Sequence, residues 1–430
     1  MRKNVDEFLL KYGMHYKTID MDKHMHGFVS QMQAGLAGEK SSLMMIPTYI
    51  SIKNNLPDND EVIVIDAGGT NLRVGSMRIT DGHLTITNFK KYPMPGSKVP
   101  ISKKDFFNKL ADYLQPVIDR SDKIGFCFSY PVEILPNCDG KILHLSKEIR
   151  IDGGVGCLLG ESLNEIFLSR GIKEKRIVVL NDTIATMLGG VSANQKSYEN
   201  YIGYILGTGT NTSYMESCAK ITKISDISSR PGQMAINIES GNFDGFDHGI
   251  FDAEIDKESK EPGYYKMEKM ISGSYQGNGI YRTVRAAVND GLFSAGMAEK
   301  FAEFSDFALA DVCDYCNDIS GDNKLSDLTQ TADDKENLLS IIKANDERSA
   351  RIAATVFGAI LKHCDYGKDP TKPVCITAEG TTFTKSHFFR SHLDKYMKTF
   401  VEDKLGRFYD IITVEDSTLR GTAIAALMSE

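Results

Sequence analysis

The sequence turns on DAGGTNLR, residues 66–73, and its counterpart LGTGTN, residues 206–211. In the first, an apolar run from Glu61 to Ala67 meets Gly68-Gly69 and resumes from Leu72 to Ile79. Two glycines between strands let backbone N–H groups approach an anion closely. Thr70 and Asn71 add hydrogen-bond donors, and Arg73 can pair with phosphate oxygens. Asp66, at a strand end, suits magnesium held directly or through water. The same residues also suit a plain hairpin. In the second stretch, the apolar strand Tyr201 to Leu206 meets Gly207-Thr208-Gly209 and returns from Thr212 to Met215. Two such loops at the same point of two similar units favour a nucleotide held between lobes. No GxxxxGK[ST] sequence is present, which excludes a P-loop. The cluster Gly273, Gly277 and Gly279 follows no strand, which argues against a dinucleotide site.

Outward from these loops, Asp81-Gly82 marks a turn and Leu84 opens a further strand, so residues 61–89 read as three consecutive antiparallel strands. A helix follows around Phe106 to Ile118, then strands at Ile124 to Phe128 and Ile177 to Leu180. The strand Met234 to Ile238 completes a second set. Helices are expected near 262–288, 297–317 and 346–363, and a last strand, Val374 to Ala378, ends at another Gly-Thr turn. Met21, Met25, Phe28, Met32 and Leu36 recur at helical spacing and are expected to pack in a core. The polar stretches 252–263 and 318–336 read as surface loops.

The chain has 430 residues, 41% hydrophobic and 25% charged, and a formal net charge of -8. That length exceeds what one hydrophobic core serves, so two domains are expected with a cleft between them. The acidic balance argues against nucleic acid as a partner. No apolar run is long enough to cross a bilayer, and the N-terminus lacks the pattern of a secretory signal. Eight cysteines spread along the chain are no disulfide framework, which points to a reducing, cytoplasmic compartment. Cys313-x-x-Cys316 has no second pair at zinc-like spacing and reads as two small buried side chains. His24 and His26 cannot share one helix face, so they are not read as a metal site.

The third informative stretch is LNDTIATML, residues 180–188. An apolar strand delivers Asn181-Asp182 to its end, where a helix begins. Asp182 suits either a helix cap or a general base.

The ordered set DAGGTNLR, GFCFSYP, LNDTIATML, LGTGTNTSYME, NIESGNF, PGYYKMEKMISG, AEGTTF and VEDSTLRGTA resembles the hexokinase family from about residue 21 onward. The resemblance implies an α/β chain with the two-lobed, actin-like ATPase (ribonuclease H-like) fold around a deep interlobe cleft. It implies a small lobe of residues 57–181 plus 421–430, and a large lobe of 1–56 plus 182–420. It implies transfer of the terminal phosphoryl group of Mg-ATP to the 6-hydroxyl of a hexose, with glucose expected, feeding glycolysis, and a monomer or homodimer. By position, Asp182 matches the catalytic base. Ser129, Ser146, Lys147, Asn181, Asn211, Glu239 and Glu268 match the sugar ligands. Asp66, Gly68, Gly69, Thr70, Asn71 and Arg73 match the first phosphate loop, with Asp66 toward Mg2+. Gly207, Thr208 and Gly209 match the second loop, and Gly380, Thr381 and the 415–421 turn match the adenosine region. The chain departs from the family pattern at Ser146, Ile149, Ser240, Tyr265 and Ser417-Thr418-Leu419.

Overall fold

The computed structural model describes residues 4–52, 60–69, 71–80, 83–145, 149–193 and 196–429. Two sheets organise it. The first holds β1 (Glu61–Gly68), β2 (Asn71–Thr80), β3 (His83–Pro93), β4 (Lys123–Phe128) and β5 (Arg176–Leu180) in the order β3-β2-β1-β4-β5. The second holds β6 (Asn200–Leu206), β7 (Thr210–Ser217), β8 (Gln233–Asn237), β9 (Val374–Glu379) and β10 (Tyr409–Ile412) in the order β8-β7-β6-β9-β10. A two-residue strand, Ile46–Pro47, extends the second sheet beyond β8. In both sheets the first three strands are antiparallel and the next two run parallel to the first. The duplicated strand–turn–strand reading is thus met in topology.

Sequence explains the placement. β1 is EVIVIDAG, buried from Val62 to Ala67, as a strand covered on both faces must be. β3 is an edge strand with Lys90 and Lys91 exposed, and charge there discourages pairing with another chain. The expected turn at Asp81-Gly82 lies outside the described residues.

Two helices fill the space between the sheets. α4 (Asp182–Val191) packs on β6 and β9, and α7 (Ser417–Met428) packs on β1 and β4, while the two cross each other. Their backbones meet at glycines. A Cβ on Gly189 would stand 2.6 Å from Ser417 O, and one on Gly421 would overlap Ala185 O.

Outside this centre, α1 (Met21–Ala37) carries Met21, Met25, Phe28, Met32 and Leu36 into the core against the second sheet, and the expected core packing is met. α2 (Lys103–Leu114) and α3 (Leu159–Ser169) cover the outer face of the first sheet. The expected helix 262–288 is divided: Lys266–Ile271 is followed, across Ser272, by α5 (Gly273–Asn289). The expected helix 297–317 is likewise two, Ala295–Phe301 and Leu309–Asn317.

The loop expectations need correcting. Ile250–Glu258 is a helix, anchored by Asp252 buried against Arg348. Within 318–336, Lys324–Leu328 is helical and α6 (Ala332–Cys364) has already begun. Thr331 and Asp334 form a capping box, so an acidic first turn disguised a helix start as a solvated loop. Among the described residues, no helix is long and apolar enough to cross a membrane.

Candidate active site

β5 runs as a buried apolar strand to Leu180 and stops at Asn181, whose side chain accepts the Thr183 N–H at 2.9 Å. Asn181 is therefore the cap of α4, and Asp182 is not spent on that role. Asp182 faces a cavity of about 650 Å³ between the sheets. Ser129, Asn181, Gly68 and Gly69 line it from one side, and Thr208, Gly209, Asn211, Glu239 and Glu268 from the other.

The polar side chains on the second sheet's side of the cavity are held by hydrogen bonds. Asn211, on β7, donates to Glu239 Oε1 at 3.2 Å and to Asn237 Oδ1 at 2.8 Å. Asn237 in turn donates to Glu239 Oε1 at 2.7 Å. Glu239 itself is in the left-handed region, φ 56°, where a non-glycine residue is uncommon and the chain turns sharply off β8. Glu268 accepts the Thr210 N–H at 2.9 Å, so it buttresses the second Gly-Thr turn. Gly209 is required by this contact, because a Cβ there would lie 2.6 Å from Glu268 Oε2. Tyr265, also left-handed at φ 52°, completes the wall beside these carboxylates.

These carboxylates are hard to ionise together. Burial pushes Asp182 up to about 7; a hydrogen bond from Ser129 opposes the rise, and the charges of Glu239, Asp66 and Glu379 add to it. Burial also pushes Glu268 up to about 7, and raises Glu239 against the hydrogen bonds from Asn237 and Asn211.

A second cavity of about 300 Å³ adjoins Asp182 and is bordered by Asp66, Gly68, Asn71, Arg73, Ser129, Glu379, Gly380 and Thr418. Asp66 and Arg73 are cross-strand partners on β1 and β2. Arg73 Nε donates to Asp66 Oδ2 at 2.8 Å, its Nη2 also reaches that oxygen, and Thr418 Oγ1 donates to it at 3.2 Å. So the two residues expected to hold metal and phosphate separately are paired with each other. Asp66, Asp182 and Glu379 bring three carboxylates to one cavity, an all-oxygen set that suits magnesium.

A third cavity, about 790 Å³, opens beyond Thr208 and is lined by Gly273, Ser274, Leu309, Cys313, Lys385 and Thr381, among others. The Gly207 carbonyl accepts Gly273 N at 2.8 Å and Thr382 Oγ1 at 2.9 Å, which ties the Gly-Thr turn to this wall. Gly380 lies with the 300 Å³ cavity and Thr381 with the larger one. The 415–421 turn does not line the larger cavity; its Thr418 serves Asp66 and Arg73 instead. Thr70, Ser146 and Lys147 lie outside the described residues.

The sequence reading missed Glu379, Cys313 and Lys385. Glu379 had a signal, since it stands at a strand end before a glycine, as Asp66 does. Cys313 was read with Cys316 as buried; Cys316 is, but Cys313 borders the large cavity.

Sequence models described as hexokinase match residues 201–428 and residues 5–191. Hexokinase-3 of Mus musculus is 29% identical over 354 residues, which cover 77% of this chain and 37% of that protein. Hexokinase-2 of Arabidopsis thaliana is 27% identical over 440 residues, covering 92% of this chain and 84% of that protein. The chain thus spans well under half the length of the mouse relative and most of the plant one. Among solved structures, a hexokinase from Schistosoma mansoni complexed with glucose matches with a TM-score of 0.78 at 22% identity, over 99% of this chain and 100% of that one. That likeness bears on the fold, which is the two-lobed actin-like ATPase fold. With one sequence model spanning more than half its length, the chain belongs to the hexokinase family.

Proposed function

We propose that this chain is a hexokinase that transfers the terminal phosphoryl group of ATP to the 6-hydroxyl of a hexose, glucose first among them. The observation that carries the reading is the position of Asp182. It borders both the 650 Å³ cavity, rich in carboxylates and amides, and the 300 Å³ cavity beside the first Gly-Gly turn. Vicinal hydroxyls donate to carboxylates and amide oxygens, so Asn211, Glu239 and Glu268 suit a sugar, with Ser129 and Asn181 opposite. Ser146 and Lys147 join this set by the family pattern alone. Asp182 then takes the proton of the attacking hydroxyl. A residue half-ionised near neutral pH is well matched to that task.

Phosphoryl transfer needs positioning and charge neutralisation more than covalent help. Gly68, Gly69 and Asn71 on one side, and Gly207, Thr208 and Gly209 on the other, offer donors to the phosphates; Thr70 joins them by the family pattern alone. The third cavity, with Thr381 at its wall, suits the adenosine, and Gly380 borders the 300 Å³ cavity. Magnesium bound with the nucleotide supplies charge neutralisation, and Asp66, directly or through water, and Glu379 are the residues that would hold it. Arg73, now paired with Asp66, is the residue that would meet phosphate oxygens.

We place the lobe boundaries at 57–181 plus 421–430 and 1–56 plus 182–420, with sugar drawing the lobes together. We place the protein in the cytoplasm, as a monomer or homodimer, supplying glycolysis. All eight cysteines are free, which is consistent with a reducing compartment.

ADP release measured across a hexose panel tests the reading. Sugar-dependent turnover, lost in Asp182→Ala with sugar binding retained, is the expected result. Turnover without sugar would mean an ATPase on the same fold, and binding without turnover a sugar sensor.

A further inference from the structure

The far end of β7 carries a cluster that the phosphoryl-transfer reading does not use. Six residues separate Thr210, at the cleft, from Glu216, a span of about 20 Å along a strand. Glu216 is 1% exposed. One of its oxygens accepts the Tyr214 hydroxyl at 2.7 Å and lies 2.5 Å from His363 Nε2. Cys364 follows His363 at the C-terminus of α6, and one ligand atom from each of Glu216, His363 and Cys364 falls within 4.8 Å of the others. Among the described residues no other group of three such side chains meets that spacing.

We propose that Glu216, His363 and Cys364 form a binding site for a borderline-soft divalent cation of the zinc type, remote from the phosphoryl-transfer site.

Three observations carry it. The first is the donor set. Sulfur, imidazole nitrogen and carboxylate together are ligands of zinc and cobalt, whereas magnesium takes oxygen. The second is the imidazole. The His363 side chain is 3% exposed, and its Nδ1 is buried without a hydrogen-bond partner. A buried polar atom of that kind is costly. An ion on that nitrogen, shared with Cys364, removes the cost, and Glu216 on Nε2 is the carboxylate that orients the ring. The third is the setting. The cluster closes the C-terminal end of a 33-residue helix, where the backbone carbonyls favour a cation. Tyr214 holds the same Glu216 oxygen that meets His363 Nε2, which fixes the orienting carboxylate in place.

One charge opposes the site. Lys220 Nζ lies 3.7 Å from Glu216 Oε1 and donates to the His363 carbonyl at 3.1 Å. It engages the carboxylate oxygen that faces away from the imidazole contact, so binding does not require its removal. The thiol must lose its proton when the metal–sulfur bond forms, and that proton passes to solvent. Affinity should therefore rise with pH.

Cobalt(II) is the probe, added to the purified full-length chain without magnesium. One equivalent should bind with a thiolate-to-cobalt charge-transfer band in the near ultraviolet, and zinc should erase the band. Cys364→Ser should abolish the band, while Tyr214→Phe should weaken binding about tenfold. Hexose-dependent turnover should persist in both variants, since neither residue touches the cleft. Should Cys364→Ser fail to fold, alkylation of the unaltered protein decides the matter. Zinc must protect Cys364, mapped by mass spectrometry, by about tenfold or more while leaving Cys313 reactive. Absence of the charge-transfer band, an unchanged band in Cys364→Ser, or unprotected Cys364 would each overturn the proposal.

Discussion

Replacing Ser129 by alanine should move the pH profile of the enzyme rather than merely lower it. The Ser129 hydroxyl lies beside the Asp182 carboxylate and favours its charged form, against burial and against three neighbouring carboxylates. A hydrogen bond to a charged group is worth about 1.5–3 kcal/mol, and 1.36 kcal/mol corresponds to about one pKa unit. Removing the donor should therefore lift Asp182 from about 7 by about one to two units. The sign follows from the role. A general base works only when ionised, so activity is lost as pH falls through the pKa of Asp182. At pH 7 the wild type has about half of its base ionised, and the variant about a tenth to a hundredth. kcat/KM at pH 7 should fall about 5- to 50-fold and recover by about pH 9.5. The assay is ADP release against pH at low sugar, where kcat/KM reports the free enzyme. Ser129 also lines the sugar cavity, so its loss carries a pH-independent penalty as well. Only the shape of the profile separates the two effects. A uniform loss at every pH, with the inflection unmoved, would refute the claim that Ser129 tunes Asp182.

Gly209→Ala should cripple turnover without unfolding the protein, because the new Cβ would stand 2.6 Å from Glu268 Oε2 and push the carboxylate off the Thr210 N–H; near-normal kcat/KM would show that Glu268 is not held there in solution. Gly421→Ala should instead act on stability, since its Cβ would overlap the Ala185 carbonyl across the helix crossing. A loss of about 3 kcal/mol is expected in urea unfolding, and a midpoint within error of the wild type would refute the close approach.

Much of this was legible in the sequence because the signals are local. Each Gly-rich turn follows an apolar strand, and both sheets open with that unit. Asp182 could be placed at a strand end, but not relieved of the capping role, since nothing in Asn181-Asp182 says which side chain turns back to the helix. The structure gives that task to Asn181. The Asp66–Arg73 pair was hidden for a related reason. Register across a hairpin decides which residues face each other, and a run of eight letters does not state it. The start of α6 was missed because Asp333 and Asp334 look like solvated loop residues until the Thr331 cap is recognised. Cys313 and Lys385 were beyond reach, as they meet Thr208 only through the packing of separate helices.

The crossing of α4 and α7 bears on how the two halves of the molecule move. Helices that pack by interlocking ridges resist twisting, because side chains must climb out of their grooves before the axes can turn. Here the closest approach is backbone against backbone, at Gly189 and Gly421, where neither residue presents a side chain. The joint resembles a smooth bearing more than a gear. The catalytic end of the bearing carries Asp182 on one helix and Thr418 on the other, each within a turn of its N-terminus. Points near an axle travel little when the arms swing. On the proposed closure, Asp182 and Thr418 would keep their spacing while the distal walls of the cleft travel farthest.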